Sequence, residues 1–357
     1  CSLVLEAGCM GHGGEIYMPD GNVEGGRVMG GAQIEDPDRF PAPRIKKIYN
    51  QKNGNTYRLD RVIMAPQKSV YATLNENSQF SEFMDLCRGF DGASQLMTWT
   101  GISDEENKAT KTSPQEAYNV FTRNYKMATD ETRSNEACLD YNVRFFNTFN
   151  YTLFAPDNEA MEKAYSLGLP RWSEIEEIFN QYAELEVDRE VTAQEEQDKA
   201  TVYAMLSAVR SFIRYHFMTV SVYADNTVEG GRYKTLSSDD TGVAKEVLIS
   251  GGNGQIVVTE PTSQHRVTVS AADGSKAVNR MTRDYWFGHM TDKNEIEAES
   301  KYTATNILTS SFCAVHQISD PLLGNSTTGR LDDAWSSRTA RARSLKRYET
   351  LKANNEL

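Results

Sequence analysis

No run of apolar residues in this 357-residue chain approaches the roughly 20 that a membrane-spanning helix needs. Cysteine is sparse, with five in all, and Cys87, Cys138 and Cys313 are too scattered to form the paired spacing of a metal-ligand set. They read as buried thiols or as one disulfide. Also absent are a Gly-x-Ser-x-Gly elbow, a phosphate-binding loop, a dinucleotide fingerprint and a His-Glu-x-x-His pair. Basic charge is in deficit, because 38 Lys and Arg face 50 Asp and Glu for a formal charge of −12. That balance argues against a nucleic-acid partner, whose phosphates require a basic surface. What remains is a globular protein with apolar residues sufficient for a packed core, and with no metal or cofactor implied.

Glycine and proline crowd the N-terminal stretch, and such a segment loses too much backbone entropy on ordering to fold by itself. Residues 1–52 are therefore expected to be an extended arm. Cys1 is expected to carry acyl chains that attach the protein to a membrane, as in lipoproteins cleaved immediately before a cysteine. Cys9, after Leu-Glu-Ala-Gly, is the second candidate. Residues 53–67 read as a strand and linker, with a turn at Asn53-Gly54, alternation over residues 56–63 and a stop at Pro66.

Residues 68–323 read as the main domain, opening with an amphipathic helix over residues 78–90 and interrupted by a polar insertion at about 91–147. Inside that insertion, Ser113, Pro114 and Glu116 mark a helix start. Two further helices are introduced by capping boxes, Ser173 with Glu176 and Thr192 with Glu195, and their many acids are expected to form a solvated face. After Met218 the pattern changes to strands, with hairpins expected at Asn253-Gly254 and Asp273-Gly274 and another strand pair before Pro321. The tail, 324–357, contains an amphipathic pattern over about 332–352. Its stripe of Trp335, Ala342, Leu345 and Tyr348 lies beside Arg338, Arg341, Arg343, Lys346 and Arg347, and it is expected to dock on its own domain, with a groove on a partner protein as the alternative.

The most informative stretch runs from Tyr151 to Tyr165. A strand must end at Pro156, which lacks a ladder donor and restricts Ala155 to extended dihedrals. Asp157 then fits a helix N-cap, and Glu159 adds negative charge at the positive end of the helix dipole.

Three motifs in order resemble the fasciclin family. The family's phenylalanine strand running into Ala-Pro-Thr-Asn-Glu-Ala is matched by Phe154-Ala155-Pro156-Asp157-Asn158-Glu159-Ala160; its Tyr-His pair by Tyr215-His216; and its closing strand by Ser311 to Asp320, with His316 and Ile318 in place and Asp320 one residue late. The resemblance covers about 68–323 and implies an α+β fold, a fasciclin-like wedge of β-sheets with a helical layer beside the extended N-terminal arm. It further implies that these motif residues are structural. The strand ending at Pro66 is similar to the last strand of a preceding module, of which residues 1–52 would be a remnant.

An acylated cysteine ahead of such modules is similar to surface lipoproteins of the Bacteroidota. The implied function is that of a non-enzymatic outer-membrane lipoprotein for binding or adhesion, facing the cell exterior, as an accessory subunit of a SusC/SusD-like TonB-dependent nutrient importer. The alternatives are glycan capture by Trp99, Tyr285, Trp286 and Phe287, or a surface enzyme acting on carbohydrate or peptide. Cys313 and His316 do not form a nucleophile and base, since residues three apart on a strand point to opposite faces.

Overall fold

The computed structural model describes residues 16–30, 32, 33, 38–63, 70–88, 96, 99, 100, 150–185, 189–225, 228–239, 242–287, 307–336, 342 and 346. An N-terminal β unit comes first, with β1 (Ile16–Tyr17) paired to β2 (Met29–Gly30) and β3 (Ile45–Gln51) paired to β4 (Gly54–Leu59). Met18, Val28 and Ile45 form its small core. Gln51 lies opposite Gly54, so the turn is Lys52-Asn53, one residue earlier than the sequence pattern suggests. The boundary expected at 52/53 thus falls inside one hairpin, and residues 45–51 are a strand and not an arm.

The helical elements are α1 (Val70–Asn75), a 3-10 turn (Ser78–Phe80) and α2 (Ser81–Arg88), then α3 (Asn158–Ser166), α4 (Trp172–Asn180) and α5 (Ala193–Tyr215). Between α2 and α3 lies β5 (Asn150–Pro156); after α5 come β6 (Phe217–Met218), β7 (Gly231–Ser238), β8 (Ala244–Gly252), β9 (Gln255–Thr259), β10 (Arg266–Ser270), β11 (Arg280–Phe287) and β12 (Ile307–Ile318). The fold is α+β. One eight-stranded sheet has the order β10-β9-β8-β7-β6-β5-β12-β11, antiparallel throughout except for parallel β5 and β12.

β5 is buried from Tyr151 to Pro156 because both of its faces are covered. Tyr151, Leu153 and Ala155, with Cys313 and Val315 of β12, pack on Phe83, Met84, Met161, Phe212 and Ile213 from the helices. Phe154 and Ile318 face the other way, onto Val247, Ile249, Ile256, Val258, Val267 and Val269 of β8–β10. The sheet curls enough for β10 to meet β12. Cys87 and Cys313 are both buried free thiols, so a disulfide between them is excluded.

Several local expectations change. Helix α4 begins after Arg171, whose backbone N–H donates to Glu174 Oε2 at 2.7 Å, so the helix is capped from Glu174, two residues earlier than the expected Ser173 with Glu176, and Arg171 makes no side-chain cap. Thr192 caps α5 as expected, accepting from Glu195 N at 3.2 Å, but the Glu195 side chain turns inward to Arg189 and leaves the solvated face. Asn253 (φ 53°) and Gly254 (φ 77°) do form the β8–β9 turn. No hairpin forms at Asp273-Gly274: Asp273 accepts from Ser275 N at 3.1 Å in a local turn, and the chain crosses to the opposite edge of the sheet before β11. The expected last strand pair is a single twelve-residue strand, because Ser310 and Ser311, which resemble turn residues, pair with Tyr285 and Asp284.

The tail docks on its own domain where it is described. Leu331 N donates to Leu167 O at 2.8 Å, and the Trp335 indole donates to Gly168 O at 2.9 Å while its ring packs with Ile175, Phe179 and Met205. Of the expected helix at 332–352, only Asp332–Trp335 with Ser336, Ala342 and Lys346 lie within the described residues. Gly168 is the contact point: its φ is +96°, and a Cβ there would sit 2.4 Å from Asp332 Cβ. Gly168→Ala should therefore destabilise the protein by about 1–3 kcal/mol. An unchanged melting temperature in scanning calorimetry would contradict this docked arrangement.

Candidate functional site

The residues singled out by the sequence motifs meet at one end of the β5–β12 pair, where Phe154 lies opposite His316 and Pro156 opposite Ile318. Pro156 ends the strand, and Asp157 follows as the N-cap of α3. Its Oδ1 accepts from Ala160 N at 3.0 Å, and its Oδ2 accepts from Ser319 Oγ at 2.5 Å and Gln317 Nε2 at 2.9 Å. One carboxylate thus caps a helix and ties it to the end of β12. Asn158 reaches to the preceding helix, accepting from Glu82 N at 3.1 Å and donating to Ser78 O at 3.0 Å. It satisfies one of the open amides at the start of α2.

The two motif histidines are completely buried and lie on different faces of the sheet. His216 ends α5; its Nδ1 donates to Phe212 O at 2.8 Å and its Nε2 accepts from Leu322 N at 3.1 Å. Those partners fix the tautomer, since a carbonyl requires a donor and an N–H requires an acceptor. His316 has the opposite tautomer: Nδ1 accepts from Asn279 N at 3.0 Å, and Nε2 donates to Val222 O at 2.7 Å. Its ring stacks on Phe154, with centroids 5.8 Å apart. Burial holds both imidazoles down to a pKa of about 4, against smaller opposing effects of the Phe212 and Val222 carbonyls. Both rings are therefore neutral near pH 7. With each ring nitrogen already engaged by backbone, neither ring presents a nitrogen to a substrate or metal.

Tyr215, also buried, donates its hydroxyl to Glu246 O at 3.2 Å. Asp320 is half-buried, beside Lys163 at 3.8 Å and His265 at 3.7 Å. Cys313 and His316 point to opposite sides of the sheet, the first into the helical core and the second onto Phe154. This arrangement cross-links elements and offers no nucleophile–base geometry at that pair.

Three participants escape sequence inspection. Asn279, at φ 55°, exchanges two hydrogen bonds with the Ala224 backbone, Nδ2 to O at 3.0 Å and N to Oδ1 at 2.6 Å, as a neighbouring strand would. Thr152 Oγ1 donates to Val220 O and accepts from Val222 N. Glu260 accepts from Leu323 N at 2.6 Å. Together they hold 220–224 and 322–323 over the sheet. Their only sequence signal is a polar residue beside or within an apolar strand.

The candidate ligand-binding aromatics are placed on different elements of the fold. Trp99 is half-buried, its indole donating to Glu195 Oε1 at 2.9 Å and stacking on Tyr182 at 5.1 Å. Arg189 lies 2.7 Å from the same carboxylate, whose pKa stays low because Arg189, Trp99 and Lys199 outweigh the larger single effect of burial. Tyr285, Trp286 and Phe287 end β11, at the sheet edge opposite β10, with Trp286 across from Thr309. Cys1, Cys9, Cys138 and all of the 91–147 insertion except Leu96, Trp99 and Thr100 lie outside the described residues. Among the described residues, no group of three or more His, Cys, Asp or Glu side chains is placed to hold a metal, and no helix is long and apolar enough to cross a membrane. No protein-family model matches this chain, and no curated protein matches it.

Proposed function

We propose that this chain is a non-enzymatic binding protein built on a fasciclin-like wedge and held at the outer-membrane surface through a lipid on Cys1. There it would engage a protein partner as an accessory subunit of a SusC/SusD-like nutrient importer. The observation that carries the binding reading is the engagement of the motif residues: both imidazoles and the Asp157 carboxylate are bonded to their own chain, which supports a scaffold role for them. The parallel β5–β12 pair, which joins the first motif to the closing strand, supports the fasciclin-like reading. Membrane attachment and the importer rest on the resemblance to surface lipoproteins.

A glycan is the second ligand class, favoured by the edge position of the Tyr285–Phe287 run. A glycan array probed with the full chain and with Trp286→Ala separates the two. A protein-binding function predicts no saturable signal for either. Saturable binding by the wild type that Trp286→Ala abolishes would replace the protein partner with a sugar.

A further inference from the structure

The β3–β4 hairpin is one of two basic stretches in an otherwise acidic chain, the other being the tail at 338–352. Between residues 44 and 61 it carries six basic residues, Arg44, Lys46, Lys47, Lys52, Arg58 and Arg61, against Asp60 alone, in a protein whose formal charge is −12. All six are exposed. Ile48, Tyr57 and Leu59 pack on the small N-terminal core, so alternation turns Lys47, Tyr49 and Arg58 to the outer face. Lys47 and Arg58 are direct cross-strand partners, an arrangement of like charges that disfavours pairing by itself. Two acids come within 4 Å of this array, Glu24 at 3.3 Å from Lys47 and Asp60 at 3.5 Å from Arg61, and Asp20 interacts electrostatically with Arg44. Glu24 and Asp60 also accept backbone N–H groups, Ile48 N at 3.1 Å and Arg44 N at 2.8 Å, so each is shared between fold and cation.

We infer that this hairpin is a membrane-surface contact that takes phosphate-bearing anionic lipid headgroups. The charges are spread along a ribbon roughly 20 Å long, with no apolar cluster on the outer face to anchor a protein. A planar array of mobile headgroups matches such a spread. Tyr49, 46% exposed among the cations, has the apolar body and polar tip suited to the interface. Outside the hairpin and the basic tail the chain is acidic and is repelled by the same surface, which favours contact through a basic segment. Surface attachment as proposed above would keep the hairpin near its target, but this contact does not depend on acylation.

The test is flotation of the full, unacylated Cys1→Ser chain with vesicles of 30% phosphatidylglycerol in phosphatidylcholine, and with phosphatidylcholine alone, at about 50 mM salt. Binding to the anionic vesicles only, released at about 0.5 M salt, is the expected result. Lys47→Glu with Arg58→Glu should weaken binding by at least about tenfold, from a contribution of roughly fivefold per cation. Arg266→Glu, at an exposed position of β10, should leave binding unchanged although it makes the chain more acidic. If the double charge reversal melts early, Lys46→Gln with Lys52→Gln serves in its place and should also weaken binding. No binding by the wild type, equal losses in Arg266→Glu, or retention by acidic polypeptide in place of vesicles would each overturn the inference. Mass spectrometry of the native N-terminal peptide reads acylation separately, so failure of the anchor and failure of the hairpin contact are distinguishable.

Discussion

Replacing His316 by alanine should lower the stability of the full chain by about 3–5 kcal/mol, a fall in melting temperature on the order of 10 °C. Two buried backbone groups lose their partners at once, the Asn279 N–H and the Val222 carbonyl, and Phe154 loses the ring stacked on it. An unmet buried donor or acceptor contributes about 1–3 kcal/mol of that loss, and the cavity left by the ring adds to it. His316→Gln keeps an amide able to meet one partner and should recover about half. His216→Ala should behave similarly, because it frees Phe212 O and Leu322 N. The check is reversible urea unfolding of the three variants. A loss below about 1 kcal/mol for both alanine variants would mean that these rings are not the cross-links described.

The same rings make the protein sensitive to mild acid. Folded, both are held neutral with pKa values near 4; the ordinary value, taken for the unfolded chain, is 6.5. Between those values the unfolded chain binds more protons, so stability is full above about pH 7 and declines as pH falls toward 4. Each ring accounts for roughly 2 kcal/mol by pH 5 and about 3 kcal/mol once pH is below 4. The chemistry behind the loss is local: a proton on His316 Nδ1 or His216 Nε2 would turn an acceptor into a donor facing an N–H. Unfolding free energies at pH 7, 6 and 5 should therefore fall by about 4 kcal/mol across the range, in a window above most carboxylate titration. His316→Gln should show roughly half that slope. A wild-type stability flat from pH 7 to 5 would contradict the neutral, buried state of the pair.

The strand-to-helix switch at Pro156 was legible because its chemistry is local: proline ends a ladder, and an aspartate three residues before an open amide caps a helix. The Asn253-Gly254 turn was legible for the same reason, since it needs only two residues that accept positive φ. Asp273-Gly274 carries the same kind of signal, yet it closes no hairpin. Which strand β11 chooses as neighbour is decided by β12, at the far side of the sheet, and nothing within the dipeptide reports that choice. Glu195 illustrates the other limit. Its position in a capping pattern is visible in sequence, but Arg189 and Trp99 draw its side chain inward, and that competition exists only after α4 and α5 pack. The site residues Asn279, Thr152 and Glu260 were missed because each answers a backbone group 55 to 70 positions away in sequence. The basic hairpin was hidden by a charge total that averages it against an acidic body.

The proposal that this protein works by binding a membrane partner is tested most directly by purifying it from native membranes solubilised in mild detergent and identifying what travels with it. The account predicts that it is recovered in the outer-membrane fraction in a stable complex with an integral β-barrel protein, in fixed ratio. Recovery as a monomer, under detergent conditions that leave other outer-membrane complexes intact, would contradict it.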